Sequence, residues 1–291
     1  MHGSIRKIGV LCVLLAGTSL GAAEIHEAAA GGDLASVSRL LAGDSSLVRA
    51  KTATRVTPLH YAAIRGHAEV ARLLIRAGAV LDARTDDGKT PLQFVFDNPE
   101  MNESDRAALA DLLASGSDIV NSIDGNGLAP LHHAALLGNA SVASILIERG
   151  AMIGARDAKG NTALHLAAEA GTAAAAAEVA SVLLAAGAAV NATNSVDVTP
   201  LHAAVLVDIP QELLVRLLVK SGANLSALDC LSQTPMRAAI SSGNAPMASL
   251  LAELGTPAEK IASGTAVATA SAAIGRETPV PPATKSGLLL R

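Results

Sequence analysis

Thr57-Pro58-Leu59-His60-Tyr61-Ala62-Ala63 reads as the start of a helix. Thr before Pro supplies an N-cap, and Pro takes the first helical position, where its missing N–H is harmless. Leu59, Ala62 and Ala63 then share one face of a short helix, and the alanine pair lets a neighbouring helix approach closely. After Gly66-His67, the residues Val70, Leu73 and Leu74 form the apolar stripe of a second helix, which Gly78 ends as a left-handed cap. Asp86-Asp87-Gly88 supplies turn chemistry on the way to the next unit. One such helix pair cannot bury its own apolar faces, so neighbours must stack on it.

The sequence provides those neighbours. The opening stretch recurs as Thr90-Pro91-Leu92-Gln93-Phe94-Val95-Phe96, Ala129-Pro130-Leu131-His132-His133-Ala134-Ala135 and Thr162-Ala163-Leu164-His165-Leu166-Ala167-Ala168. Thr199-Pro200-Leu201-His202-Ala203-Ala204 and Thr234-Pro235-Met236-Arg237-Ala238-Ala239 complete the series. The Pro-equivalent positions 58, 91, 130, 163, 200 and 235 stand 33, 39, 33, 37 and 35 residues apart. Ile25-His26-Glu27-Ala28-Ala29, followed by Gly32-Asp33-Leu34 and Leu40-Leu41, looks like a degenerate first copy. The pattern resembles the ankyrin repeat, with its period near 33 and its T-P-L-H-x-A signature. The resemblance covers residues 24–260 in about seven copies, the first and last serving as caps. It implies an all-α solenoid of stacked helix-turn-helix units with finger-like hairpin loops. It also implies a protein-binding rather than catalytic role, with the recurrent histidine bonding neighbouring turns.

The copies are unequal. From the Pro-equivalent to the closing Gly they span 20 residues in 58–78, 130–150 and 235–255, but 25 in 91–116, 24 in 163–187 and 22 in 200–222. The extra residues fall between the two helices, at 97–105, 172–178 and 207–211. The alanine-rich 172–178 run extends helices. The acidic, Pro-containing 97–105 segment is either a surface excursion or tolerated drift in loop length.

Outside the repeats, Arg6-Lys7, an apolar run from Ile8 to Leu20 and Gly21-Ala22-Ala23 read as a signal peptide cleaved after Ala23. The alternative is an uncleaved anchor, although the run falls short of a stable membrane span. Residues 1–23 carry two cations and no acids, so cleavage takes the net charge from −4 to −6. It also removes Cys12 and leaves Cys230 alone, as a plain exposed residue or an intermolecular thiol. A periplasmic or secreted location follows. Residues 261–291, rich in Ser, Thr, Ala and Pro, read as a disordered tail.

Composition narrows the function. The aromatic residues are Tyr61, Phe94 and Phe96, and Trp is absent. That argues against base stacking on single-stranded nucleic acid, and the negative charge argues against phosphate-backbone binding. No G-x-S-x-G, H-E-x-x-H or P-loop occurs. Histidines one repeat apart stand about one helix diameter (~10 Å) from each other, too far to share a zinc ion. No cofactor or metal is therefore expected. A monomer binding a protein partner through its concave face is the leading reading; a hydrolase or metal-dependent enzyme using that groove is the alternative.

The bulk of the predicted concave row marks the partner-binding surface. The residue after each His position is, in order, Tyr61, Phe94, His133, Leu166, Ala203 and Ala238, so bulk declines toward the C-terminus. Ile64, Arg65, Leu136 and Leu137 flank this row, while Arg84, Asp87, Lys89, Arg156 and Lys159 decorate the fingers. Aromatic and Arg side chains are enriched at interface hot spots. The competing assignment packs Phe94 into a distorted third copy, whose alanine pair is replaced by Val95-Phe96.

Overall fold

A computed structural model describes residues 20–207 and 211–255. The described residues are helical, with no strand. Seven helix pairs follow one another. They are α1 (Leu20–Gly31) and α2 (Leu34–Gly43), α3 (Pro58–Arg65) and α4 (Ala68–Arg76), and α5 (Pro91–Phe94) and α6 (Glu103–Leu113). A short α7 (Ser117–Val120) precedes α8 (Pro130–Leu136) and α9 (Ala140–Glu148), then α10 (Ala163–Leu166) and α11 (Ala173–Ala185). The stack ends with α12 (Pro200–Leu206) and α13 (Glu212–Lys220), and α14 (Pro235–Ser241) and α15 (Ala245–Gly255). The cleavage expected after Ala23 would fall inside α1, whose Ala22 is buried and whose carbonyl lies 2.5 Å from His26 Nδ1. Residues 1–19 and the tail segment 256–291 lie outside the described residues.

The helix starts obey the sequence. Each of α3, α5, α8, α12 and α14 has Pro at its head, and Gly78 closes the second unit at φ +90°. Leu59, Ala62 and Ala63 are all fully buried, as are Val70, Ala71 and Leu74 at the level of 1% exposure or less. Small alanines permit the close helix stacking, and one continuous apolar core runs along the repeats. The inserted residues behave differently from one another. The 172–178 run does extend α11 to 13 residues, with Thr172 as N-cap. The 97–105 segment forms turns that lead into α6, where Asn102 caps and Arg106 donates to the Asn98 carbonyl at 2.6 Å.

Candidate partner-binding surface

The recurrent histidine is the mortar between repeats. In repeat 2, His60 Nδ1 accepts the Thr57 N–H at 3.1 Å, which leaves the proton on Nε2, 3.3 Å from the Lys89 carbonyl of the next unit. His132, His165 and His202 do the same, their Nε2 atoms 3.0, 3.0 and 3.1 Å from the Ala155, Val198 and Gln233 carbonyls. Burial lowers the pKa values of His26, His60, His132 and His165, because a cation there would lose its hydration. Repeat 3 reaches the same end with an amide. Gln93 Oε1 accepts the Thr90 N–H at 2.9 Å and its Nε2 donates to the Ser122 and Leu128 carbonyls, both at 3.0 Å.

The fingers form a second ladder. Each is a tight turn closed by an N–H to C=O bond, as in Thr85 to Lys89, Asp124 to Leu128 and Asp157 to Asn161. Where an Asp or Asn heads the turn it takes two further N–H groups, as Asp157 takes those of Lys159 and Asn161, whereas the Thr85 hydroxyl takes that of Lys89. Backbone bonds then join finger to finger, from Gly125 N–H to the Asp87 carbonyl and from Ser195 N–H to the Lys159 carbonyl. Arg84 Nη1 donates to the Gly88 carbonyl at 3.0 Å and to Ile123 of the next finger at 2.8 Å. Arg156 makes the equivalent pair to Gly160 and Thr193. Asn121 and Asn191 bridge the alternate junctions, reaching the Gly150 and Gly222 carbonyls at 3.0 Å.

These bonds sort the residues expected to bind a partner. Arg84 and Arg156 each donate through Nη1 to two backbone carbonyls and so staple neighbouring fingers. The Lys89 ammonium is held by both carboxylate oxygens of Asp97, at 2.7 and 2.8 Å. His133 stacks on Phe96 with ring centroids 5.5 Å apart and lies 3.1 Å from the nearly buried Asp124 carboxylate. Leu166 is only 5% exposed and belongs to the core, contrary to its expected place on the surface. Burying that leucine is worth about 2 kcal/mol. Ala238 is buried too, whereas Asp87, Lys159 and Leu137 remain exposed and Leu136 packs half-buried on the core.

What does converge is the N-terminal half of the row. Tyr61, Ile64, Arg65 and Phe94 line one open groove of about 310 Å³, together with Val56, Asp97 and Asn98. Both aromatic rings stand edge-on to a histidine of the preceding unit: Tyr61 on His26 at 5.5 Å and Phe94 on His60 at 4.7 Å. Phe94 is half-buried and so serves groove and core at once; Val95 and Phe96 take the fully internal positions. Asp97 and Asn98, from the lengthened loop of repeat 3, were not anticipated from sequence. Chain length flagged that loop, but nothing in it signalled that it folds back beside α3. Among the described residues no group of three or more His, Cys, Asp or Glu side chains could hold a metal ion, and no helix is long and apolar enough to cross a membrane. Cys230 is exposed, its N–H bonded to the Val196 carbonyl of the finger before it.

Comparison with known proteins agrees with this architecture. The family model for ankyrin repeats matches residues 25–103, 100–194 and 172–261. The human ASB11 ankyrin repeat domain superposes with a TM-score of 0.67 at 25% identity, covering 80% of this chain and 98% of that one. The ankyrin repeat domain of Bcl-3 gives a TM-score of 0.62 at 32% identity, covering 74% and 92%. A Caenorhabditis elegans homolog of transient receptor potential cation channel subfamily A member 1 is 35% identical over 145 residues, half of this chain. The phosphocholine transferase AnkX of Legionella pneumophila is 30% identical over 117 residues, 40% of this chain. The matched stretches span only 11% and 12% of those two relatives. Repeats, staples and matches together place this chain in the ankyrin-repeat family.

Proposed function

We propose that this protein is a non-catalytic interaction module that takes a segment of a protein partner into the groove of repeats 2 and 3. Ankyrin repeats are protein–protein interaction modules, and their fold is generally a binding scaffold without enzymatic activity. The observation that carries the reading is the convergence of Tyr61, Ile64, Arg65 and Phe94 on one groove. An aromatic floor with an Arg at its edge is the composition of an interface hot spot. Arg65 is exposed, while the neighbouring Lys89 is neutralised by Asp97. No observation favours a hydrolase or metal-dependent activity.

The same proposal places the protein outside the cytoplasm, periplasmic or secreted, acting as a monomer after loss of residues 1–23. Its support is the basic, apolar and small-residue order of that segment. The test is affinity capture from the native envelope fraction with the parent chain and with a Tyr61→Ala/Phe94→Ala variant of confirmed fold. A protein partner held by the first and lost by the second supports the groove. Equal capture by both, or turnover of a small molecule by the purified chain, overturns it.

A further inference from the structure

We propose that His60 makes the junction between repeats 2 and 3 a latch opened by acid, and that Gln93, filling the same position one repeat later, gives no such response. His60 is fully buried, with Nδ1 occupied by the Thr57 N–H and hydroxyl at 3.1 and 2.8 Å. Its single ring proton sits on Nε2, facing the Lys89 carbonyl of repeat 3. A second proton on Nδ1 would set N–H against N–H, breaking the cap of α3 and leaving a cation in the core.

No charge acting on that site welcomes the cation. The charges acting on it are His26 from repeat 1 and Lys51 from the first finger, and both oppose protonation. Repeat 3 presents the Phe94 ring, and the carbonyls of Ala83 and Lys89 are the groups that favour the charged form. The Lys89 ammonium is itself tied to Asp97. Burial prevails over the carbonyls and lowers the pKa from 6.5 to about 4. Gln93 fills the same position one repeat later, equally buried, with an acceptor toward Thr90 and donors toward Ser122 and Leu128. It has no proton to gain.

The direction follows from linkage. The folded pKa lies below the unfolded one, so the unfolded chain takes the proton first as the pH falls. The contribution of His60 is complete above about 6.5 and is lost progressively as the pH drops toward 4. At pH 5 that is about a 30-fold increase in the unfolding constant relative to pH 7.5. His26, His132, His165 and His133, the last stacked on Phe96 beside Asp124, are also lowered by burial and add to the response of the whole chain. Because Phe94 stands on the His60 ring, opening this junction also dismantles the groove floor, whatever the groove binds.

Two reciprocal substitutions in the full chain test the latch. Urea unfolding of parent, His60→Gln and Gln93→His is measured at pH 7.5 and pH 5. The proposal expects the unfolding constant of His60→Gln to rise about 30-fold less than the parent's across that interval, and that of Gln93→His to rise more. Hydrogen exchange, corrected for the intrinsic effect of pH, should show α5 losing more protection in acid in Gln93→His than in the parent. If His60→Gln fails to fold, Gln93→His and the exchange pattern carry the test. Identical pH dependence in parent and variants, or equal loss of protection at α5 in parent and Gln93→His, overturns the latch.

Discussion

Leu164→Ala is the most direct probe of how the stack is held together. Leu164 is 1% exposed, on an inner helix between α8 and α12. Replacing a buried leucine with alanine costs about 2–5 kcal/mol, and the cost rises when the surroundings cannot close the cavity. Here the flanking helices present Leu131, Ala134 and Ala135 on one side and Leu201 and Ala204 on the other, all buried. Alanine side chains cannot swing into a void, so the loss should fall in the upper half of that range, about 4 kcal/mol. For a chain of this size that lowers Tm by roughly 8–16 °C. Differential scanning calorimetry and urea titration measure it, with Leu137→Ala, at a position 38% exposed, as the control expected to cost under about 1 kcal/mol. A Leu164→Ala loss no larger than the control's would refute the picture of a tightly packed inner row.

Other substitutions separate staples from spare surface. Arg84→Ala should cost about 0.5–1 kcal/mol, the discounted value of two exposed charge-assisted bonds, while Lys159→Ala should stay within about 0.5 kcal/mol in the same urea assay. Gly160→Ala should be worse than Gly78→Ala: both have positive φ, but a Cβ at 160 would meet the Ser195 backbone nitrogen at 2.8 Å whereas one at 78 meets nothing within 4 Å. Chemical denaturation of the pair should place Gly160→Ala lower by about 1 kcal/mol or more, and equal midpoints would count against the close finger packing. N-terminal sequencing of envelope-fraction protein should begin at Glu24 or within a few residues; a product retaining Met1 in the cytoplasm would remove the export proposal.

Much of this molecule is legible in six short words of sequence, because Thr-Pro, the His three residues past Thr and the closing Gly each have a local physical job. Leu131, Leu164 and Leu201 could be assigned to the core for that reason, and all three are buried. The irregular parts were harder. Gln93 looks like a lost histidine until its amide is seen making the same bonds. Leu166 occupies a surface-facing position by count, yet it is 5% exposed, and spacing alone does not weigh how neighbouring repeats cover a side chain. Arg84 and Arg156 share one repeat position and could be read equally as binding or bracing groups. The bracing bond is visible only in the structure, because for Arg84 its carbonyl lies 39 residues along the chain.

The groove is the central functional claim, and the affinity of the captured partner for single variants tests it most directly. Truncating an aromatic anchor at the centre of an interface commonly costs 2 kcal/mol or more, a weakening of about 30-fold or greater in Kd. Isothermal titration calorimetry with folded Tyr61→Ala should show that weakening, while Lys159→Ala on the fourth finger should bind within about threefold of the parent, as a peripheral charge does. Normal binding by Tyr61→Ala together with loss of binding by Lys159→Ala would contradict the account and move the site to the fingers.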